Sequence, residues 1–273
     1  MEAMPLPDLL VAAAQMTSTS DRRRNLDTAV RLVREAADLG AKLVGLPENF
    51  SFMGREEDRI AGAEPVDGPT IAALREVARE REVLVIAGSI AERIDVPGKT
   101  ANTSVLVGSD GSIAGVYRKI HLFDVAIPDG ARYAESEVVI PGDKVVVAPT
   151  PLGRIGLSVC YDLRFPELYR KLASLGAEVI TIPAAFTLFT GKDHWEVLIR
   201  ARAIENLAYV VAPAQVGRHS ANRQTFGNAM IVDPWGVVLA RCPDGEGVCV
   251  AKFDRARLER VRLELPALKH RKL

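Results

Sequence analysis

The chain has 273 residues, 48% of them hydrophobic, and its 35 lysines and arginines are balanced by 35 aspartates and glutamates. Such a balance supplies no positive field to draw in nucleic acid or an anionic membrane. The apolar run from Leu9 to Ala14 is too short to span a bilayer, and Asp8 stands before it where a signal peptide would carry positive charge. A small-molecule partner and a cytoplasmic setting are expected. The three cysteines, Cys160, Cys242 and Cys249, form neither a disulfide framework nor a zinc spacing and suit a reducing compartment.

In chain order, residues 9–15 predict a first strand and residues 25–39 a helix. Leu26, Ala29, Val30, Val33 and Ala37 share one face of that helix, and Gly40 stops it. Residues 42–46 form a short strand that breaks at Pro47-Glu48-Asn49, leaving Glu48 at its carboxyl end. A looser stretch, 51–67, precedes a helix opened by Gly68-Pro69 and running to about Glu80. Residues 83–88 are nearly all apolar, as in a strand covered on both faces. The runs 103–107 and 113–117 flank Ser109-Asp110-Gly111-Ser112, a hairpin signal that delivers Arg118 and Lys119.

The second half repeats this order. A strand over 154–159 ends on Cys160, and a helix opened by Pro166 is stopped by Gly176. A strand over 178–182 runs into Pro183-Ala184-Ala185, the counterpart of Pro47-Glu48-Asn49. A helix over 194–206, a strand over 209–213, a hairpin turned at Pro234-Trp235-Gly236 and a last strand over 248–253 complete it. Two copies of one element order predict an α/β chain of two mixed sheets packed back to back with helices outside, a four-layer αββα sandwich. No linker rich in Gly or Ser separates the copies, so residues 1–273 are read as one domain; two domains are the alternative.

Cys160 sits at the carboxyl end of a strand and beside a helix N-terminus, where backbone N–H groups and the helix dipole favour a thiolate and a developing oxyanion. The plainer reading is a small buried residue at a strand end. Glu48 and Lys119 lie at similar ends, where ligands collect in α/β sheets. Taken singly, each is an ordinary solvated charge. His121 leaves a Cys–His thiol enzyme as an alternative, and Asp193-His194 hints at a metal but finds no second ligand cluster.

Three ordered motifs give these residues a joint meaning: LPENFSF around Glu48, YRKIHLFD around Lys119 and GLSVCYDLRFPEL around Cys160, with DHWEVLIRARAIEN and the DPWG turn behind them. Along essentially its whole length the chain resembles the nitrilase superfamily of carbon–nitrogen hydrolases. The resemblance implies an αββα sandwich, a cysteine acyl-enzyme with no metal or cofactor, and a homodimer or higher homo-oligomer. The residue types suit cleavage of an amide, which needs both a nucleophile and a proton donor. Cys160 would attack the carbonyl carbon, and Glu48 would shuttle the proton through both half-reactions. Lys119 and the Tyr161 N–H would hold the oxyanion, and the lysine's charge would favour the thiolate. Glu135 matches a second acidic position of the family, with Glu137 close by.

Substrate choice is less legible. Arg164 is either a carboxylate clamp or an ion-pair partner of Glu167. Phe186 and Thr187 follow a strand end and are expected to wall the acyl pocket. Within the superfamily the chain is similar to amidases acting on deaminated glutathione and on 2-oxoglutaramate, and YVVAPAQVGRHS and ARAIENLAYV lean toward the former. Both substrates would give the same 2-oxoglutaryl thioester and differ in the leaving group. Discrimination is expected near Asn49, Phe50 and residues 215–219. Hydrolysis of nitriles and a non-catalytic binding scaffold are the further alternatives.

Overall fold

The computed structural model describes residues 9–126 and 132–272, so Asp8 and the last residue, Leu273, lie outside the described residues. The first half contributes β1 (Leu9–Met16), α1 (Arg22–Asp38), β2 (Ala41–Gly45), α2 (Glu56–Ala61), α3 (Pro69–Arg81), β3 (Leu84–Arg93), β4 (Thr100–Val107) and β5 (Ile113–Arg118). A short antiparallel pair, β6 (Asp124–Ala126) and β7 (Arg132–Ala134), leads into a 3-10 turn at Glu135–Glu137. The second half runs β8 (Val147–Thr150), β9 (Gly153–Leu157), a 3-10 turn at Cys160–Arg164, α4 (Pro166–Ser174), β10 (Val179–Thr181), α5 (Leu188–Asn206) and β11 (Tyr209–Ala212). Then follow β12 (Ala214–Ser220), β13 (Arg223–Phe226), β14 (Met230–Val232), β15 (Val238–Arg241), β16 (Gly247–Phe253) and α6 (Arg255–Glu264).

The two copies of the element order divide between two mixed sheets. One carries β1-β2-β3-β4-β5 in spatial order, and the other carries β15-β14-β11-β10-β9-β8. Within each, the first three strands of the copy are parallel and the hairpin strands that follow are antiparallel. Alternation along β1 shows how the layers arise. Val11 and Ala13 point into the core shared with Ile155, Leu157 and Val211 of the second sheet, while Ala12, Ala14 and Met16 point outward onto α1 and α3. On the far side, Leu168 and Leu172 of α4 and Trp195 and Ile199 of α5 cover the second sheet. The sandwich expected from the sequence is therefore present.

Several boundaries move for local reasons. α1 opens three residues earlier than its apolar spacing suggests, because Asp21 caps it by accepting from Arg24 N at 3.0 Å. Its buried face runs through Ala29, Leu32, Val33 and Ala36, leaving Leu26, Val30 and Ala37 at the margin. α5 opens at Leu188, capped by Thr187, six residues before the expected start. The stretch read as loose holds α2, whose first turn is Glu56, Glu57 and Asp58, acids that favour a helix N-terminus. The hairpin β12-β13 was not anticipated; it extends the first sheet, with β12 parallel to the end of β1. β16 also returns to the first sheet, antiparallel to β1 along residues 9–15. No helix among the described residues is long and apolar enough to cross a membrane.

Candidate active site

The carboxyl ends of β2, β9 and β10 converge where the two sheets meet. Past β2 the chain turns through Pro47 to Glu48, and Asn49 adopts a left-handed φ of 55° with its N–H on Ser89 Oγ at 3.0 Å. Past β9 it reaches Cys160, itself left-handed at φ 48°, a conformation unusual for a residue with a Cβ. Cys160 N donates to Pro183 O at 2.8 Å, which ties the cysteine to the end of β10. Two residues on, Ala185 N donates to Glu48 Oε2 at 3.1 Å. The two proline-marked strand ends, counterparts in the repeat, thus meet across the interface between the sheets.

Lys119 follows β5 and is only 2% exposed. Its Nζ donates to Glu48 Oε1 at 3.0 Å and to Glu135 Oε2 at 2.8 Å. Asn102 on the neighbouring strand β4 sends Nδ2 to both acids, at 3.0 Å to Glu48 Oε1 and 2.9 Å to Glu135 Oε1. Phe123 N completes the shell of Glu135 at 2.8 Å, and Gln215 Nε2 holds the backbone oxygen of Glu48 at 3.0 Å. Glu135 therefore faces the lysine, and Glu137 lies only at the cavity wall.

Burial opposes charge on Lys119, yet the two carboxylates and the neighbouring Cys160 more than offset it and hold the ammonium well above its usual range. Burial likewise opposes charge on Glu135, but Lys119, then Arg59, together with hydrogen bonds from Lys119 and Asn102, bring it down to about 2. Cys160 moves the other way. Burial, then the charge of Glu48, which is also its hydrogen-bond partner, push the thiol well above the usual value despite Lys119. The charge of Lys119 favours the thiolate, as expected, but desolvation and the Glu48 carboxylate outweigh one lysine shared between two acids.

These groups open on a cavity of about 380 Å³, within the range of small-molecule sites. Glu48, Lys119, Glu135 and Cys160 line it, as do Tyr161, Arg164, Phe186 and Thr187. The Arg164 guanidinium lies 5.2 Å from the centre of the Phe186 ring and 3.2 Å from His194 Nδ1, and no ion pair with Glu167 is found among the described residues. His121 is not placed for a thiol dyad. Its Nδ1 meets Asp162 Oδ1 at 2.7 Å and its ring stacks on Phe165 at 3.8 Å. Asp162 in turn accepts from Tyr117 OH and Val159 N, so the set braces the turn that carries Cys160. Among the described residues no group of three His, Cys, Asp or Glu is arranged to hold a metal ion.

Of the residues expected on the leaving-group side, only Asn49 lines the cavity. Phe50 is buried in the outer core, Gln215 braces Glu48, and His219 is taken up by Ser18 O and Thr225 Oγ1, its pKa lowered to about 4 chiefly by burial. Arg223, Gln224 and Thr225, from the unanticipated hairpin, stand at the cavity instead. Sequence reasoning also missed Asn102 and Arg59. An asparagine inside the apolar run of β4 was a usable signal for the first, since a buried amide must find partners; nothing in residues 51–67 marked the second.

A family model described as carbon-nitrogen hydrolase matches residues 10–263. The chain is 46% identical over 265 residues to the deaminated glutathione amidase of Synechocystis sp. (strain PCC 6803 / GT-S), covering 96% of this chain and 97% of that protein. It is 46% identical over 268 residues to the deaminated glutathione amidase of Homo sapiens, with coverage of 96% and 82%. Among solved structures, Saccharomyces cerevisiae Nit3, a member of branch 10 of the nitrilase superfamily, matches with a TM-score of 0.87 and 30% identity over 97% of each chain.

Proposed function

The chain belongs to the carbon-nitrogen hydrolase family and is a hydrolase of carbon–nitrogen bonds other than peptide bonds, and from that premise we propose that it cleaves deaminated glutathione to 2-oxoglutarate and cysteinylglycine through a thioester on Cys160. The observation that carries the reading is that Cys160 and Glu48, the latter held by buried Lys119, Asn102 and the Ala185 N–H, open on one small cavity. The substrate choice is supported by the activity named for relatives matched over 97% and 82% of their length.

Because Cys160 rests as a thiol, its proton must leave as the carbon–sulfur bond forms, and Glu48 is the contacting base. The tetrahedral oxygen then carries the charge. An ammonium has three donors, of which Lys119 gives one each to Glu48 and Glu135, so one remains for this oxygen. The N–H of Cys160 is already taken by Pro183, which leaves that of Tyr161 as the second donor. As the intermediate collapses, Glu48 returns the proton to the departing nitrogen, and the amine leaves behind a 2-oxoglutaryl thioester. Glu48 next draws a proton from water, hydroxide adds to the thioester, and the carboxylate product departs as Cys160 regains its proton. Tyr161 and Phe186 form the apolar wall, with Arg164 above them as a carboxylate clamp. A catalytic thiol suits a reducing, cytoplasmic setting, and copies of the chain associate through an apolar face on α5.

The test is direct. Purified enzyme given deaminated glutathione releases cysteinylglycine; ammonia release from 2-oxoglutaramate at a higher kcat/KM reassigns the substrate, and no turnover of either refutes it. Wild-type enzyme quenched with acid during turnover carries the mass of one 2-oxoglutaryl group on the peptide holding Cys160; an adduct on any other residue overturns the mechanism.

A further inference from the structure

Arg59, on the short helix α2, is 8% exposed and lines the same cavity as Cys160. Its Nε and Nη2 are buried and have no hydrogen-bond partner. Those two nitrogens form one edge of the guanidinium, the edge that takes a carboxylate through two parallel bonds. Elsewhere in this chain the same edge is filled. Arg118 gives Nε and Nη2 to the two oxygens of Glu92 at 2.7 and 2.6 Å, and Arg202 gives both to Leu163 O. The acids around Arg59 are committed to others: Asp58 to Arg55, Glu64 to Thr70, Glu135 to Lys119 and Asn102. Glu56 and Glu137, on the same cavity, form no ion pair with it among the described residues.

A buried guanidinium with an empty edge is costly to keep unless a ligand fills it. We propose that Arg59 is a specificity-determining residue that receives a carboxylate of the substrate, a proposal that rests on the reading of this cavity as the amide site. Both nitrogens are closed off from solvent as the side chain stands, so the carboxylate meets them as the guanidinium turns toward the cavity it borders. Deaminated glutathione carries two such groups, one on the 2-oxo acid and one on glycine, whereas 2-oxoglutaramate carries only the first. An Arg59 that binds the 2-oxo acid end selects the acyl group; one that binds glycine selects the leaving group.

The experiment compares wild type, Arg59→Met and Arg59→Lys on deaminated glutathione, 2-oxoglutaramate and the neutral hexanamide. Arg59→Met raises KM for the anionic substrate about 30-fold or more beyond any change on hexanamide, the scale for one partner lost from a buried charged pair, and Arg59→Lys recovers part of it. A loss on both anionic amides places the contact at the 2-oxo acid, and a loss on deaminated glutathione alone places it at glycine. Equal factors on all three compounds overturn the proposal. Arg59→Met removes two buried donors that have no partner, which offsets the loss of its charge near Glu135, so it is expected to melt close to wild type and weakened binding is not unfolding; should it fail to fold, Arg59→Lys carries the comparison. A second readout needs no turnover: 2-oxoglutarate and cysteinylglycine are tested as protectants of Cys160 against iodoacetamide. At least one protects wild type and not Arg59→Met. Protection that is equal in both proteins, or absent from wild type, overturns the assignment even where the amidase reading itself has failed.

Discussion

Glu48 is shared by Lys119 Nζ, Asn102 Nδ2 and Ala185 N, and its charge helps push the Cys160 thiol up. Replacing it with glutamine removes the charge that helps raise the thiol. The Glu48→Gln variant is therefore expected to lose turnover and yet show a lower apparent pKa for Cys160, read from the pH dependence of iodoacetamide labelling. An unmoved profile would remove Glu48 from that role. Glu135 supplies a second titration test. Its folded pKa, about 2, lies below the ordinary 4.5, so its contribution to stability is full above pH 4.5 and is lost as pH falls toward 2. Stability of Glu135→Gln should vary less with pH over that window, measured by denaturant unfolding. Asn102 positions both acids, and Asn102→Leu should slow turnover by about 10²-fold, the scale of a small misplacement at a reacting centre. Glu48, Lys119 and Cys160 were singled out because three ordered motifs with a family resemblance surround them, not by their strand ends alone. Asn102 and Arg59 were not, because their partners come from distant parts of the chain.

At the scale of elements, what holds the acid in place is the backbone around it. β3 passes so close to the end of β2 that a Cβ at Gly88 would collide with the carbonyl oxygens of Leu46 and Pro47. Gly88→Ala must then displace the Pro47-Glu48 peptide. The expected cost is about 1–3 kcal/mol in denaturant unfolding, as for overpacking elsewhere. A larger proportional loss in kcat than in substrate affinity would mark the displaced carboxyl. A variant as active as wild type would show that the strand end moves freely. Strands and helices with a clear period were readable in the sequence. The caps set by Asp21 and Thr187 shifted the helix starts, and β12-β13 was hidden because its partner strand, β1, lies at the other end of the chain.

Among the exposed apolar side chains of the whole molecule, several gather beside α5. Val197 is 66% exposed on α5, and Trp235 and Val237 are about half exposed at the turn between β14 and β15. That turn lies against α5, where Arg200 Nε donates to Gly236 O at 2.8 Å. A continuous face of this kind on a single copy is unusual unless something covers it. Sedimentation of the wild-type chain should show a dimer or larger species, and Trp235→Glu with Val197→Glu should shift it to monomer. A monomeric wild type would refute association through this face.

β1 is the first strand in chain order, yet β16 runs beside it along residues 9–15 and β12 touches its far end. During synthesis this edge must wait, unmatched, until Gly247 and the residues after it have left the ribosome. A message truncated upstream of that point yields a product with an open strand border, the kind of border that recruits other chains. Such fragments are expected to collect in insoluble deposits and not to persist as shorter working enzymes.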